Sequence, residues 1–187
     1  MGNVRDVPPA ALVAGITFSE RAALEAALGD LAGEFGTVEM ESPEFAFDMT
    51  DYYDAEMGAN LRKGFFCFRR PVRMESLPDI KLRTNAIERK GARGGGNNAA
   101  RRVNIDPGYV SLSKLVLATT KDYSHRIYIG GGIYAEPTLR FIGGTFVPLE
   151  TTYPDYRTPL AIAFFNQVRD YVKRNGRTWT LKTASKR

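Results

Sequence analysis

Residues 10–33 read A-A-L-V-A-G-I-T-F-S-E-R-A-A-L-E-A-A-L-G-D-L-A-G, so that an apolar run passes directly into a helical pattern. The apolar run contains β-branched residues and predicts a buried strand. In the second half, Leu24, Leu28 and Leu31 repeat at helical spacing. Ser19 is the expected cap of this helix, and glycines near its other end are expected to terminate it. The quoted stretch therefore predicts a strand followed by a helix.

The next segments alternate in the same way between strand and helix patterns. Helices are predicted at 50–57 and 76–90, and strands at 37–41 with 44–47, at 64–72 and at 102–106. The last of these strands is expected to end at Pro107-Gly108, which is a turn dipeptide. Apart from the short helix, the order is β-α-β-β-α-β, which is that of a ferredoxin-like fold. We therefore predict an α+β fold with an antiparallel sheet and two helices on one face.

The C-terminal part of the chain extends this core. A short apolar helix is predicted at 110–119, a β-hairpin at 126–129 and 133–142, a further strand at 145–149 and a closing helix at 158–174. The turn of the hairpin contains Gly130, Gly131 and Gly132. We predict a single domain over residues 1–172, followed by a basic tail at 173–187 that is expected to be flexible.

The net charge of +5 is unevenly distributed along the chain. Residues 173–187 contain six basic residues and no acidic one, and residues 81–102 contain seven basic residues and one acidic one. The rest of the chain is therefore acidic. Such asymmetry favours contact with phosphate-rich partners, because neutralised phosphates release counterions. The alternative is a solubilising tail and a flexible surface loop, the loop being R-G-G-G-N-N-A-A at 93–100.

The composition excludes several classes of protein. No stretch approaches the roughly 18 consecutive apolar residues of a membrane span, and the first residues lack the apolar region of a secretory signal. The single cysteine, Cys67, and the single histidine exclude a disulfide framework and ordinary zinc sites. Cys67 lies in an apolar run, which predicts a buried thiol. We therefore expect a cytoplasmic protein that does not enter a membrane. There is also no P-loop motif, which excludes a Walker-type nucleotide site.

Polar side chains are dense between residues 101 and 136, in sequence that otherwise has the character of a protein core. Segments that must pack yet keep polar groups are typical of functional sites. The polar residues of this segment include the only histidine of the chain, and they are Asn104, Asp106, Lys114, Lys121, His125, Arg126 and Glu136.

An acidic stretch lies upstream, at F-D-M-T-D-Y-Y-D-A-E-M-G (47–58). Its carboxylates, Asp51 among them, are of the type that a magnesium ion accepts. The alternative is a helix cap, in which Thr50 begins a helix and the acidic residues favour its N-terminal dipole. Under either interpretation, Tyr52 and Tyr53 are expected to form the wall of a pocket.

The predicted helix at 76–90 carries a polar stripe. Lys81, Asn85 and Glu88 follow the spacing i, i+4, i+7 and share one face. Either this stripe is a solvated helix face, or Lys81 meets a phosphate or carboxylate that Asn85 orients. The sequence leaves both possibilities open.

The predicted hairpin separates its polar and apolar side chains by strand alternation. Arg126 and Tyr128 share one face, where Tyr134 and Glu136 of the neighbouring strand are expected to join them. His125 has the opposite parity and is expected on the apolar face. A structural histidine is therefore as well supported as a general base.

Five strings of the sequence resemble a known family. They are T-D-Y-Y-x-x-E-M-G, K-L-x-T-N-x-I-E, V-N-I-D-P-G-Y, L-A-T-T-K-D-Y-S-H-R-I-Y-I-G-G-G-I-Y-A-E and T-Y-P-D-Y-R. Together they are similar to the prokaryotic family called domain of unknown function 4416, over roughly residues 10–172. The resemblance implies no activity. It implies only that certain residues match signature positions, namely Asp51, Tyr52, Glu56, Lys81, Asn85, Asn104, Asp106, Tyr109, Lys121, His125, Arg126, Glu136, Tyr153 and Asp155.

Two functions from different classes are consistent with these residues. The first is a binding module for a nucleotide or RNA-like phosphate ligand, with basic groups for the phosphate and tyrosines for stacking. Its ligand-binding residues are predicted to be Lys81, Asn85, Asn104, Tyr109, Lys121, Arg126, Tyr128 and Tyr134. The second is a small enzyme acting on a phosphorylated or nucleotide substrate, with His125 or Glu136 as acid/base. In that enzyme, Asp51 and Asp106 are the predicted ligands of a divalent cation such as magnesium.

Overall fold

A computed structural model describes residues 2–3, 6–50, 52–93, 100–176 and 178–179 of the chain. Within these ranges, the strands are β1 Ala11–Phe18, β2 Val38–Glu41, β3 Phe45–Ala46, β4 Arg62–Phe68, β5 Val103–Val110, β6 Lys114–Thr119, β7 Ile127–Gly130, β8 Ile133–Ile142 and β9 Thr145–Pro148. The helices are α1 Arg21–Phe35, α2 Asp54–Met57, α3 Leu77–Lys90 and α4 Pro159–Asn175, with short 3-10 helices at Met74–Ser76 and Pro154–Arg157.

All the strands belong to one antiparallel sheet. Within the described ranges it has nine strands, in the order β2-β4-β1-β5-β6-β8-β7, with β3 paired to β4 and β9 paired to β8. The predicted α+β class with an antiparallel sheet is therefore confirmed. The ferredoxin-like topology is not confirmed, because the complete sheet has more strands in a different order.

Apolar residues cover both faces of the central strands. On one face, Ile16 of β1 and Phe66 of β4 pack with α1 and α3. On the other face, Phe65 of β4 packs with Phe164 and Phe165 of α4. Because helices cover both faces, all eight residues of β1 are buried, which explains why residues 11–18 are apolar without a polar alternation.

The segment predicted as a helix at 110–119 is instead the strand β6. Leu115 and Leu117 pack in the core under α4, whereas Val116 and Ala118 pack in a separate cluster with Leu77 of α3. The strand is buried on both faces, so its sequence is continuously apolar. A short run of this kind cannot be distinguished from a buried helix by periodicity, which is why the prediction was wrong.

The dipeptide Pro107-Gly108 does not end a strand, because β5 continues through it to Val110. The N–H and C=O groups of Ile105 point away from β1, since both form hydrogen bonds with side chains of α3. By strand alternation the nitrogen of Pro107 points to that same side, where no ladder hydrogen bond to β1 is lost. Gly108 has a different reason: a Cβ there would lie 2.3 Å from the carbonyl oxygen of Val116, so only glycine lets β6 approach.

The sheet opens between β5 and β6. These strands pair only through Gly108, Tyr109 and Val110 of β5. Further towards the start of β5, the main chain of Ile105 has α3 side chains as partners in place of β6. The opening lies beside α3 and is the position of the pocket described below.

Other sequence predictions are confirmed or shifted at the helix ends. The hairpin of β7 and β8 and the closing helix form as predicted, and Thr158 caps α4 by accepting a hydrogen bond from Ala161 N at 3.2 Å. Ser19 is not the cap of α1, which begins after Glu20 without a capping side chain. The helix predicted at 50–57 is reduced to α2.

The C-terminal end of α4 extends beyond the predicted boundary of the domain. Helix α4 continues past residue 172 to Asn175, and the ring of Trp179 packs 5.6 Å from that of Tyr171. Residues 177 and 180–187 of the predicted tail, and residues 94–99 of the predicted flexible loop, lie outside the described residues. Even the longest described helix lacks an apolar stretch of the length that a membrane crossing needs.

Candidate functional site

A pocket of about 410 Å³ occupies the opening between β5 and β6. Side chains from both sides of the opening, from α3, and from the loops before α2 and α4 contribute to it. The polar and aromatic lining residues are Phe47, Thr50, Tyr52, Tyr53, Lys63, Lys81, Asn85, Glu88, Arg101, Asn104, Asp106, Thr119, Thr120, Lys121, Tyr123, Glu136, Tyr153, Asp155 and Tyr156.

The polar stripe of α3 forms one wall of this pocket. Lys81 Nζ donates to the carbonyl oxygen of Ile105 at 2.8 Å, and Glu88 Oε1 accepts from Ile105 N at 2.6 Å. Both side chains are buried, and Asn85 lines the pocket between them. The stripe is therefore not a solvated helix face: it replaces the missing strand pairing of β5.

A buried lysine lies at the floor of the pocket. Lys63 Nζ is 2.8 Å from Asp155 Oδ2 and 3.2 Å from Asp106 Oδ2, and the Lys63 side chain is only 3% exposed. Burial alone would lower the pKa of Lys63, but the carboxylates of Asp155 and Asp106 outweigh it, so that this pKa is well above its ordinary value. Lys63 is therefore a permanent cation that joins two carboxylates.

Asp106 is ionised at this floor. Burial acts to raise its pKa, but the cations Lys63 and Lys81, together with the nearby Asn104 amide, hold the pKa of Asp106 below its ordinary value. Its side chain remains 30% exposed, towards a pocket that it lines. The carboxylate can therefore accept a hydrogen bond from a bound molecule.

Tyr156 fits against the sheet because β1 has a glycine at the point of contact. A Cβ on Gly15 would lie 2.4 Å from Tyr156 Oη and 2.9 Å from Lys63 Cε. The Tyr156 ring packs 5.0 Å from the ring of Phe65. Burial raises the pKa of Tyr156 well above its ordinary value, so its hydroxyl stays protonated.

Arg101 organises a second group of charges beside α3. Its guanidinium binds the carboxylate of Glu56 through two bonds of 2.7 Å, and its Nη1 atom donates to Glu88 at 3.3 Å and to Asn104 Oδ1 at 3.0 Å. The hydrogen bonds from Arg101 lower the pKa of Glu56, whereas burial raises the pKa of Glu88. The position of the Asn104 amide is thus set by a residue that can only donate.

Tyrosine rings line the pocket where it is nearest to solvent. Tyr52 and Tyr53 pack edge to face, with centroids 4.9 Å apart, and Tyr123 and Tyr153 lie on the same lining. Lys121 Nζ lies 4.0 Å from the centroid of the Tyr52 ring. The prediction that Tyr52 and Tyr53 form a pocket wall is confirmed.

Glu136 contacts both His125 and Arg126, although strand alternation predicts these two side chains on opposite faces of the hairpin. Its Oε2 atom is 2.7 Å from His125 Nε2 and 2.9 Å from Arg126 Nε, and Arg126 also donates to the Tyr153 hydroxyl. The predicted separation of His125 from Glu136 is wrong, because β7 begins only at Ile127. Alternation does not apply to the turn that precedes a strand.

The structure divides the predicted site residues into two groups. Lining the pocket are Lys81, Asn85, Asn104, Asp106, Lys121 and Glu136. Outside the lining are Tyr109, which packs in an apolar cluster, Arg126 and His125, which contact Glu136, and the pair Tyr128 and Tyr134, whose rings lie 5.4 Å apart at the edge of the sheet. The predicted patch of two tyrosines with Arg126 and Glu136 is therefore split between two places.

The predicted metal ligands are not brought together by the described residues. Asp51 lies outside the described residues, and Asp106 is bound to Lys63. Across the described part of the chain, no three His, Cys, Asp or Glu side chains are placed so that they could hold a metal ion. A magnesium site at Asp51 and Asp106 remains a prediction.

Sequence reasoning did not assign Lys63, Arg101 or Tyr156 to the site. A signal existed for Lys63, since it is a charge directly before the apolar run of residues 64–68. Arg101 and Tyr156 have no comparable signal, because their roles depend on contacts between segments distant in sequence.

Comparison with known proteins shows which family the chain belongs to. A family model matches residues 8–171. The chain belongs to the family described as domain of unknown function (DUF4416). The DUF4416 match contains every residue that lines the pocket and ends before the basic tail. No curated protein and no solved structure matches the chain.

Proposed function

We propose that the pocket between β5 and β6 binds a single nucleotide, with its base among the tyrosines and its phosphate at Lys121. The observation that carries the proposal is the composition of one pocket of about 410 Å³, which is lined by Tyr52, Tyr53, Tyr123 and Tyr153 together with Lys121. Small-molecule sites in proteins have volumes of roughly 300–1,000 Å³. Aromatic side chains stack on any base, and lysine is a common partner of phosphate.

The charges of the pocket support a fixed direction for the nucleotide. Lys63 is neutralised by two carboxylates, Arg101 by Glu56 and Glu88, and the ammonium group of Lys81 acts on the carboxyls of Glu88 and Asp106. The inner floor therefore offers no unbalanced positive charge to a phosphate. Lys121 lies beside the outer ring of Tyr52, where a phosphate can remain partly hydrated.

The same charges support a single nucleotide over a long RNA. The basic residues of 81–102 are largely paired with acidic residues of the body: Arg83 with Glu34, Lys90 with Asp30, Arg93 and Arg102 with Glu20, and Arg101 with Glu56. A surface that binds RNA through its backbone needs basic groups that are free to contact successive phosphates. The paired residues do not supply such a surface.

Calorimetric titration with the four common nucleoside 5′-monophosphates and their phosphate-free nucleosides tests this proposal. We expect at least one nucleotide to bind at least fivefold more tightly than its nucleoside. Lys121→Met is expected to remove this difference, while Lys90→Met, which removes a surface ion pair away from the pocket, is expected to leave it unchanged. Failure of all four nucleotides to bind at millimolar concentration would overturn the proposal.

A second candidate function is favoured by the contact between His125 Nε2 and Glu136 Oε2 at 2.7 Å. A carboxylate that orients a histidine is a recurring arrangement for general acid–base catalysis, and here the carboxylate also lines the pocket. Under this proposal, incubation with nucleotides or sugar phosphates releases a product, and His125→Gln abolishes the release. Binding without any turnover by the unmodified protein would argue for the binding module.

We also propose that the larger sheet contains a ferredoxin-like unit, formed by β1, α1, β2, β4, α3 and β5. The order β2-β4-β1-β5 and the packing of α1 and α3 on one face of these strands support it. An excised 8–110 segment that folds cooperatively would favour this unit, and an excised segment without cooperative unfolding would count against it.

A further inference from the structure

The floor of the pocket contains a buried amide with an unused hydrogen-bond donor. Asn104 is 5% exposed, and its Nδ2 atom is near enough to Asp106 to lower the pKa of that carboxyl but forms no hydrogen bond of normal geometry with any of the described residues. Its Oδ1 atom accepts from Arg101 Nη1 at 3.0 Å. Because a guanidinium has only donors, the oxygen must face Arg101, and the NH2 group is left for the pocket.

An acceptor lies beside this donor. Asn104 and Asp106 are two residues apart on β5, so their side chains leave the same face of the strand, about 6–7 Å apart at their origins. One oxygen of Asp106, Oδ2, is occupied by Lys63. The carboxylate lines the pocket and is ionised, which makes it an acceptor and not a donor.

An unmet buried donor costs free energy, on the order of 1–3 kcal/mol. A ligand that supplies its acceptor is therefore favoured over one that does not. A phosphate cannot do so here, because the ionised Asp106 repels it. A divalent cation is opposed by the ammonium group of Lys63, which lies 3.2 Å from the same carboxylate.

We propose that Asn104 and Asp106 recognise the hydrogen-bonding edge of a heteroaromatic base, donating to a ring acceptor and accepting from the neighbouring N–H group. The inference rests on the proposed nucleotide site and adds which end of the bound ligand lies deepest in the pocket. The base extends from the floor, where its edge lies on β5, towards the tyrosines that contact its faces, and the phosphate remains at the mouth of the pocket.

The unpartnered hydroxyl of Tyr156 is consistent with a base whose polar edge faces the floor of the pocket. Its hydroxyl is buried and has no partner among the described residues, and it lies on the same lining as Asn104 and Asp106. A base can present a further polar atom to this hydroxyl. A smaller anion without a ring system would leave at least one of the three groups unmet.

The test compares ligands on the unmodified protein, so that it does not depend on a variant folding. Ribose 5-phosphate has the phosphate and the sugar but no base, and we expect it to bind at least tenfold more weakly than the best of the four nucleoside 5′-monophosphates. Methylation of that nucleotide at the ring nitrogen of its pairing edge, N1 of a purine or N3 of a pyrimidine, is expected to weaken binding at least tenfold.

Variants then assign the effect to the two residues. Asn104→Asp replaces the donor by an acceptor of nearly the same shape, and Asp106→Asn replaces the acceptor by a group that can donate. Each is expected to weaken nucleotide binding at least tenfold. Circular dichroism melting verifies that each variant is folded.

The outcomes separate this inference from the proposed function. Ribose 5-phosphate that binds as tightly as every nucleotide would overturn base recognition and leave a phosphate site. Nucleotide binding that is unaffected by both the methyl group and the variants would overturn the assignment to Asn104 and Asp106, while the pocket itself stands. If no nucleotide binds, both proposals fail.

Discussion

Lys63 and Asp155 form an ion pair of 2.8 Å inside the protein, with side chains that are 3% and 5% exposed. Lys63 belongs to the interior strand β4, and Asp155 to the short helix that precedes α4. The pair therefore fixes one wall of the pocket to the sheet. Asp106 completes the cluster from β5, so that one ammonium group holds two carboxylates.

The first prediction concerns this lysine. Lys63→Met removes the cation and leaves Asp155 and Asp106 without their shared partner, and we expect a loss of about 3–5 kcal/mol in the free energy of unfolding. Urea unfolding followed by circular dichroism measures it. Lys90→Met is the matched control, because its ion pair with Asp30 is at the surface and is expected to contribute under about 1 kcal/mol. Equal effects of the two substitutions would contradict the role of Lys63.

The second prediction concerns Gly15. In Gly15→Ala, the new methyl group would lie 2.4 Å from Tyr156 Oη, so the tyrosine and Lys63 must both move. We expect a loss of about 1–3 kcal/mol, as for other insertions into a packed core. Gly33→Ala is the control, since that glycine is inside α1 with nothing within 4 Å of the new group. There we expect a gain of about 0.5–1 kcal/mol, and a loss at Gly33 would show that the difference does not come from packing.

Much of the sheet was predictable because its strands carry local signals. The apolar run of β1 and the glycine turn between β7 and β8 were identified from residues next to each other in sequence. The extension of β5 past Pro107 was not, because a proline is tolerated only when its nitrogen points away from a paired strand. That condition depends on where β6 separates from β5, which no pattern of neighbouring residues in the sequence indicates.

The candidate site shows the same limit. The stripe of Lys81, Asn85 and Glu88 was visible as helical spacing, but its burial follows from the gap beside Ile105. His125 was assigned to the wrong face, because strand alternation was applied one turn before the strand begins. Spacing within an element was thus a reliable guide, while contacts between elements were not.

The third prediction concerns the only cysteine of the chain. Cys67 is completely buried, and burial raises the pKa of its thiol to about 12. Since the thiolate is the reactive form, we expect no labelling by iodoacetamide at pH 8 in the folded protein within an hour. Full labelling is expected in 8 M urea. Rapid labelling without denaturant would show that β4 opens readily or that the thiol is accessible.

The fourth prediction concerns Asp106 and acid. The pKa of Asp106 is lower in the folded protein than its ordinary value, so the folded state binds fewer protons than the unfolded state at this position. Its stabilising contribution is therefore complete above the unfolded pKa of about 3.9 and is lost as the pH falls through the lower folded value. Asp106→Asn should cost about 1–3 kcal/mol at pH 7, and the difference from the unmodified protein should shrink below about pH 4.

Urea unfolding of both proteins at pH 7, at pH 5 and at the lowest pH where both remain folded measures this difference. Glu88 titrates with the opposite sign, because burial raises its pKa and its ionisation opposes folding as the pH rises. It is present in both proteins, so its contribution largely cancels from the comparison. A difference that stays constant or grows on acidification would show that Asp106 is not held ionised by Lys63 and Lys81.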